Sequence, residues 1–309
     1  MTTVSASLDF FRRRMRPWLE LAGADPALTE IMYDGDGCMS VDIAGELRHA
    51  ELAGLTDEDV VALGSNAAVY SDQVWSRERP FLSIIIPPDW RCSFVRPPVV
   101  ERPVMSLRKL RRLPVPLQRY IDDGTMSATE AEHLRQLILA RRTICISGEV
   151  GSGKTTLLRT LLGLVPSNER IVTLEDPREL MLTAPDGLSP RAHYVALEAT
   201  LGVMGLDALL RASLRLRPDR IIVGEVRGPE ALELVRSLNT GHRGAMFTLH
   251  SNGARQALER LHTLTIEAQP GFHWASVERA IDVVIQIEGR GRERRISEIW
   301  ENERAASLD

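Results

Sequence analysis

The chain has 309 residues, 44% of them hydrophobic and 26% charged, which is typical of a globular protein and long enough for two domains. Its net charge of -4 excludes a surface built throughout to neutralise nucleic acid, because such domains are strongly basic. Three cysteines without a Cys-x-x-Cys pair favour a reducing cytoplasm over a disulfide framework or a structural zinc site. No apolar run approaches the roughly 18 to 20 residues that span a bilayer. We therefore expect a cytoplasmic protein that is neither exported nor integral to the membrane.

Residues 5–21 have the periodicity of a basic, amphipathic helix. Its apolar positions are Phe10, Phe11, Met15, Trp18 and Leu19, and its basic positions are Arg12, Arg13, Arg14 and Arg16. Such a helix can lie on an anionic membrane surface or against a partner. It can equally pack its apolar side into a core and leave a solvated basic edge. Both interpretations are open at this point.

Five short runs with strand character follow this helix, and a helical stretch lies between the second and third of them. The runs are residues 39–44, 46–52, 81–87, 91–95 and 104–109, and the helical stretch is 56–69. They predict a small α+β domain over residues 1–109. Pro114, Pro116 and Gly124 then break any regular element, which predicts an irregular linker over residues 110–125. Residues 126–309 form the second predicted domain.

The second domain opens with Ser127 and Glu130, an S-x-x-E capping box that predicts the start of a helix. Strand-like and helical stretches then alternate, which indicates a parallel sheet with helices on both faces. The strand-like runs are residues 143–147, 170–174, 193–197, 220–224 and 245–249. Two further runs, 282–288 and 294–301, are interpreted as an antiparallel extension of that sheet.

The run GEVGSGKTT, residues 148–156, fits G-x-x-x-x-G-K-[ST] and lies between a predicted strand and a predicted helix. In this motif, backbone amides surround the β-phosphate, Lys154 reaches the β- and γ-phosphates of ATP, and the Thr155 hydroxyl is a ligand of Mg2+. Glu149 is expected to point away from the phosphates. The predicted nucleotide-binding residues are Gly148, Gly151, Ser152, Gly153, Lys154, Thr155 and Thr156.

Two later strand-like runs end in carboxylates. Residues 220–224 lead into Glu225, and residues 170–174 lead into three acids, which are Glu175, Asp176 and Glu179. Hydrolysis of a nucleotide needs one carboxylate to orient the attacking water and another to hold the metal shell. Ligands bind at the carboxyl edge of a parallel sheet, so these acids are candidates for both tasks.

Two histidines flank the run 245–249, with His242 before it and His250 after it. A single histidine is more often a packed or surface residue than a functional one. The end of a strand in the nucleotide-binding sheet is, however, where a sensor of the γ-phosphate would lie. Both histidines are therefore candidate site residues.

The four blocks GEVGSGKT, TLEDPRE, IIVGEVRG and TGHRGAMFTLHSN resemble the Walker A loop, Asp box, Walker B strand and His box of the secretion ATPase superfamily. That superfamily powers type II and type IV secretion, type IV pili and conjugation. LAGADPALTEIMYDGDG and RCSFVRPPVVERPVMSLRKL extend the likeness to nearly the whole chain. The resemblance implies an α/β fold in which a RecA-like P-loop NTPase domain carries a smaller α+β N-terminal domain. It also implies a homohexameric ring that hydrolyses Mg-ATP at subunit boundaries.

The resemblance further implies a role for each matching residue. Glu179 is the acid that activates water, Glu225 is the Walker B acid, and Glu175 and Asp176 support them. Thr155, Asp176 and Glu225 are the matching positions for Mg2+.

The remaining assignments by resemblance concern histidines and arginines. His242 and His250 match the His box. The N-terminal domain of the family supplies arginines to the nucleotide, and the matching positions here are Arg91 and Arg108, with Arg96 a weaker match.

The compact length and the run SLRLRPDRIIVGEVRGPEALELVRSLNTGH are similar to the conjugal-transfer and type IV secretion branch. This implies a motor that docks on integral membrane components and associates peripherally with the cytoplasmic face of the inner membrane. Strong direct binding of nucleic acid is not expected. Three alternatives stay open, namely a pilus assembly or retraction ATPase, a nucleotide-gated scaffold with little turnover, and a DNA translocase.

Overall fold

The computed structural model describes residues 3–50, 54–87, 90–110, 114–182, 191–200 and 203–303. The chain divides into two compact units, Met1–Arg112 and Leu113–Asp309. The exact domain and linker limits inferred from the sequence stay predictions. Across the described residues, no helix is both long and apolar enough to cross a membrane.

The first unit contains a six-stranded sheet in the order β3-β2-β1-β6-β5-β4, in which every neighbouring pair of strands is antiparallel. The strands are β1 Leu28–Tyr33, β2 Met39–Ile43, β3 Glu46–His49, β4 Phe81–Ile86, β5 Trp90–Val95 and β6 Val104–Lys109. Two helices, α1 Thr3–Ala24 and α2 Asp57–Tyr70, pack with the sheet around one hydrophobic core. Strand β1 is the one element of this sheet that the sequence did not predict.

Helix α1 packs its apolar side into this core. Phe11, Met15, Trp18 and Ala22 recur at helical spacing, and all four are buried. The arginines between them lie toward solvent or pair with acids. Of the two interpretations of this helix, the structure therefore shows the packing helix with a basic edge. Its apolar side is already covered and is not available to a membrane surface.

Gly64 lets the side chain of Trp75 pack directly against helix α2. A Cβ atom at Gly64 would lie 2.4 Å from the Trp75 ring. The ring is fixed on its other sides by the Nε1 hydrogen bond to the carbonyl oxygen of Pro80 at 2.8 Å, by edge contact with Phe94 and by the Arg96 guanidinium stacked 4.8 Å from its centroid. The ring therefore has little freedom to move aside.

We expect Gly64→Ala to destabilise the first unit by about 1 to 3 kcal/mol, because the added methyl group overpacks the contact with Trp75. Urea unfolding followed by tryptophan fluorescence measures this change. Ser65→Ala, at an exposed position of the same helix, is the control and should change stability by less than about 0.5 kcal/mol. In an unhindered helix Gly→Ala is stabilising, so a gain of stability at Gly64 would contradict the packing described.

The second unit contains a seven-stranded sheet in the order β13-β12-β7-β11-β10-β8-β9. The strands are β7 Ile144–Gly148, β8 Ile171–Glu175, β9 Tyr194–Glu198, β10 Arg220–Val223, β11 Met246–His250, β12 Val283–Glu288 and β13 Arg295–Glu301. The α-helices are α3 Leu117–Asp122, α4 Ala128–Leu139, α5 Lys154–Leu162, α6 Leu206–Ser213, α7 Glu230–Asn239, α8 Ala254–Ala268 and α9 Trp274–Ala280. All strand pairs are parallel except β12 with β13.

The helices cover both faces of this sheet, as the sequence predicted. Helices α3, α4 and α5 form one hydrophobic core with residues such as Ile144 and Ile146. Helices α6 to α9 form the other core with residues such as Cys145 and Phe247. Successive residues of β7 thus enter opposite cores, which explains why this strand is apolar throughout.

Two predictions for this unit were wrong. Residues 117–122 lie within the predicted irregular linker but form helix α3, in which Tyr120 is buried in the second unit's core. Pro116 precedes the helix as its N-cap and Gly124 follows its end, so both residues bound the helix and neither interrupts it. The run 282–288 is also not antiparallel to the main sheet, because β12 pairs with β7 in parallel and only β13 reverses direction.

Candidate nucleotide site

The glycine-rich loop lies where β7 ends and α5 begins. Gly151 and Gly153 have φ angles of 80° and 98°, a region in which a residue with a side chain is strained, and Gly153 is the N-cap of α5. A Cβ at Gly148 would lie 2.2 Å from the carbonyl oxygen of Ile287. The glycines therefore permit a tight turn that leads into a helix N-terminus, and the free backbone amides of a helix N-terminus can bind an anion.

The side chain of Lys154 is folded back over this loop and is almost completely buried. Its Nζ donates to the carbonyl oxygens of Gly148 and Glu149, at 2.9 and 2.8 Å, and lies 3.0 Å from Nδ1 of His250. Burial lowers the pKa of Lys154 to about 8, and the charge of Glu225 offsets part of this effect. The side chain of Glu149 is exposed.

His250 links the loop lysine to the acid that follows β10. Its Nε2 lies 3.0 Å from Oε1 of Glu225, while its Nδ1 faces Lys154. Burial and the positive charge of Lys154 lower the pKa of His250, against the opposing effect of Glu225. A neutral imidazole that accepts at Nδ1 and donates at Nε2 satisfies both contacts. Lys154, His250 and Glu225 thus form one polar chain, although Lys154 and His250 are 96 positions apart in the sequence. The chain lies at the ends of β10 and β11 and at the start of α5.

Glu175 is enclosed in the protein and braces the turn that follows β8. Its Oε2 accepts the backbone amides of Glu179 and Leu180, at 2.6 and 2.7 Å, and its Oε1 accepts the Thr173 hydroxyl at 2.8 Å. Burial raises the pKa of Glu175, although these three donors act in the opposite direction. Its carboxylate is thus committed to the turn, while Glu179 is half-buried and Asp176 is exposed.

The other predicted phosphate-binding and metal-binding residues of this motif lie in the loop and in the first turn of α5. Thr155 and Thr156 lie half-buried in the first turn of α5, and Ser152 is buried beside Gly148. Among the described residues, no group of three or more His, Cys, Asp or Glu side chains could hold a metal ion by itself.

The structure does not bring His242 to this edge of the sheet. His242 precedes β11, whereas His250 ends it, so the five-residue strand, about 16 Å long, separates them. The His242 Nδ1 atom lies 3.3 Å from the carbonyl oxygen of Ser237, near the end of α7. Position along the sequence suggested the same edge only because both histidines flank one strand.

The predicted arginines belong to the first unit. Arg91 on β5 and Arg108 on β6 face each other in register. Arg96 stacks on Trp75, and this structural contact accounts for its position. The role of Arg91 and Arg108 toward the nucleotide stays a prediction.

Three arginines near the loop or the acids were missed by the sequence analysis. Arg227 lies 3.4 Å from Glu225 and donates to the backbone oxygen of Asp176. Arg290 and Arg294, in the turn between β12 and β13, lie beside the glycine loop. Because the chain contains many arginines, the sequence spacing of these three did not distinguish them from arginines without a role in the site.

A parallel sheet covered on both faces, a glycine loop leading into a helix, and acids at the same edge define a nucleotide-binding α/β protein. Residues 83–289 match the family described as Type II/IV secretion system protein. The chain is 35% identical over 279 residues to the conjugal transfer protein TrbB of Rhizobium radiobacter, covering 89% of this chain and 84% of TrbB. It is 32% identical over 327 residues to the type IV secretion system protein PtlH of Bordetella pertussis, covering 96% and 95%.

The fold is similar to the crystal structure of the VirB11 ATPase from the Brucella suis type IV secretion system in complex with sulphate. The TM-score is 0.50 at 28% identity, covering 96% of this chain and 97% of VirB11. The chain therefore belongs to the type II/IV secretion system protein family and is a secretion or conjugation ATPase. The predicted family and the predicted fold class, a RecA-like domain with a smaller α+β N-terminal domain, are both confirmed.

Proposed function

We propose that this chain binds Mg-ATP at the carboxyl edge of the second unit's sheet and hydrolyses it as a motor of a type IV secretion or conjugal transfer machine. The observation that carries this proposal is the polar chain from Lys154 through His250 to Glu225. It connects the phosphate-binding loop to the Walker B acid by two contacts of 3.0 Å. Loss or gain of a phosphate beside Lys154 therefore changes the contacts of His250 and Glu225 at the neighbouring strand ends.

The residues present fit a magnesium ion held together with phosphates. The Thr155 hydroxyl and the carboxylates of Glu225 and Asp176 are hard oxygen donors, which Mg2+ prefers. In sites where it acts together with phosphates, Mg2+ binds one or two protein side chains and completes its shell with phosphate and water. When bound, the ion would neutralise charge on the β- and γ-phosphates.

Side chains of the protein bind the phosphates, orient the attacking water and position the catalytic turn. Lys154 exchanges its contacts with the loop carbonyls for the β- and γ-phosphates, and the backbone amides of residues 151–156 surround the phosphates. Glu179 orients the attacking water. Glu175 acts as a positioning residue, because its carboxylate holds the backbone of the turn that carries Glu179.

The assembly we propose follows the family. Six copies form a ring, and Arg91 and Arg108 of the N-terminal unit complete the nucleotide site. The ring docks on integral membrane components of the machine and stays peripheral at the cytoplasmic face of the inner membrane. TrbB is named as a conjugal transfer protein and PtlH as a type IV secretion system protein. These names support conjugal transfer or type IV secretion as the task of the present chain.

Phosphate release from ATP tests the proposed chemistry. We expect release that depends on added Mg2+ and stops when EDTA removes it. ATP binding should be measured in the same preparation. Binding without release in every assembly state would contradict the motor and support a nucleotide-gated scaffold.

Nucleotide affinity should fall as pH rises through the range in which Lys154 loses its proton. Its pKa of about 8 means that neutral lysine predominates in the free protein at pH 9, whereas phosphate oxygens favour the charged form. We therefore expect ADP affinity to drop about tenfold between pH 7 and pH 9.

The titration can be observed directly, because the chain has two lysines, Lys109 and Lys154. NMR of protein labelled with 13C at lysine Cε should show two signals, assigned with Lys109→Arg. The Lys154 signal should titrate near pH 8 in the free protein and at higher pH with ADP. A Lys154 midpoint that ADP leaves unchanged would contradict contact between this lysine and phosphate.

A further inference from the structure

The turn between β12 and β13 holds two arginines against the glycine-rich loop. Arg290 Nη2 donates to the carbonyl oxygen of Val150 at 3.0 Å. A Cβ at Gly151 would lie 3.4 Å from Nε of Arg290, and a Cβ at Gly153 would lie 3.0 Å from Nε of Arg294. The turn is tight because Gly289, at φ 74°, approaches the backbone of Glu293 too closely for a side chain.

These contacts concentrate positive charge at one place. Arg290 and Arg294 join Lys154 around the N-terminus of α5, which itself has positive polarity. Within the described part of the chain, the buried Nε of Arg294 has no hydrogen-bond partner. Arg295, one residue further on, instead pairs with Glu288 at 3.1 Å. The cluster around α5 therefore has the charge of a site for a polyanion.

The strand order indicates which end of a nucleotide meets this turn. Glu225 follows β10 and His250 ends β11, both on one side of β7, and under the proposed function they mark where the γ-phosphate reacts. Strand β12 lies on the other side of β7. A triphosphate whose γ-phosphate points toward Glu225 thus extends its nucleoside end toward the turn at residues 289–294.

We propose that Arg294, assisted by Arg290, binds the α-phosphate of the nucleotide at its nucleoside end. The inference rests on the proposed nucleotide site and adds two residues to it from the C-terminal hairpin. A guanidinium group presents several donors to a phosphate, which makes such contacts stronger than neutral hydrogen bonds. The nucleotide is then contacted from the side of β12 as well as from the glycine loop and α5.

Equilibrium binding of ADP tests this contact, with each variant checked by thermal unfolding without nucleotide. Arg294→Met should lower ADP affinity about tenfold or more, because a charge-assisted contact is lost while an extended apolar side chain still covers Gly153. Arg294→Lys, which keeps the charge, should lose less. The difference between the Met and Lys variants should shrink as salt is raised. Arg295→Met is the matched control from the same hairpin and should bind ADP as the wild type does.

The outcomes separate this inference from the proposed function. A wild-type protein that does not bind ADP would overturn the proposed nucleotide site itself. If the wild type binds ADP and Arg294→Met binds it equally well, only the arginine contact is wrong. Equal losses in the Met and Lys variants at every salt concentration would show that Arg294 supports the loop and does not bind phosphate. Should Arg294→Met fail to fold, Arg290→Met, at an exposed position, gives the same readout.

Discussion

Lys154→Ala is expected to lower the rate of ATP hydrolysis by at least about a hundredfold, the effect of removing a donor aimed at charge that develops in the transition state. The substitution also removes the positive end of the polar chain to His250 and Glu225, each link of which is 3.0 Å long. Phosphate release at saturating ATP measures the loss, and ADP binding measures how much of it arises from the ground state.

Arg135→Ala is the control for this experiment. Arg135 is exposed on α4, and its ion pair at 3.4 Å is with Glu132 of the same helix. Its replacement should leave the rate unchanged. Hydrolysis by Lys154→Ala at the wild-type rate would show that the glycine loop is not the site of turnover.

Arg220→Met is expected to destabilise the second unit by about 3 to 5 kcal/mol, because it leaves Glu169 charged, largely buried and without its main partner. The Arg220 side chain is fully buried, and its Nε lies 2.7 Å from Oε2 of Glu169. Its Nη2 also donates to the carbonyl oxygen of Ile138 at 2.7 Å. Burial alone would raise the pKa of Glu169, but Arg220 and Arg141 outweigh it and lower this pKa.

Denaturant unfolding measures the loss, and the double variant Arg220→Met with Glu169→Gln should regain part of it, because the carboxylate that lost its buried partner is then replaced by a neutral amide. Arg211→Ala is the control. Arg211 pairs with Asp207 at 2.9 Å but both side chains are substantially exposed, so its loss should cost less than about 1 kcal/mol. Similar losses of stability in Arg220→Met and Arg211→Ala would contradict the importance of burial.

Arg220 begins β10, at the end opposite to Glu225, so folded Arg220→Met should still bind nucleotide.

Local sequence signals predicted the elements around the nucleotide site well. Ser127 and Glu130 do form the capping box that starts α4. The strand before the glycine loop and the helix after it also lie where the motif requires them. Such features depend on residues a few positions apart, so one sequence contains the information that specifies them.

Features that depend on distant pairing were harder to predict. Strand β1 escaped notice because a bulge between Leu28 and Glu30 interrupts the alternation of buried and exposed residues. The direction of β12 depends on its pairing with β7, more than 130 residues earlier. Contacts of the glycine loop with Arg290 and Arg294 span a similar separation and have no local pattern. Within the Asp box, the sequence predicted three acids but not that burial assigns Glu175 to bracing the turn.

The most direct test of the account measures ATP turnover per subunit across a concentration series, with oligomeric mass determined in the same samples with and without Mg-ATP. We predict that turnover per subunit rises as a ring-sized species appears and that Lys154→Ala assembles without turnover. ATP binding with no phosphate release in any assembly state would contradict the account, because a motor must hydrolyse the nucleotide that it binds.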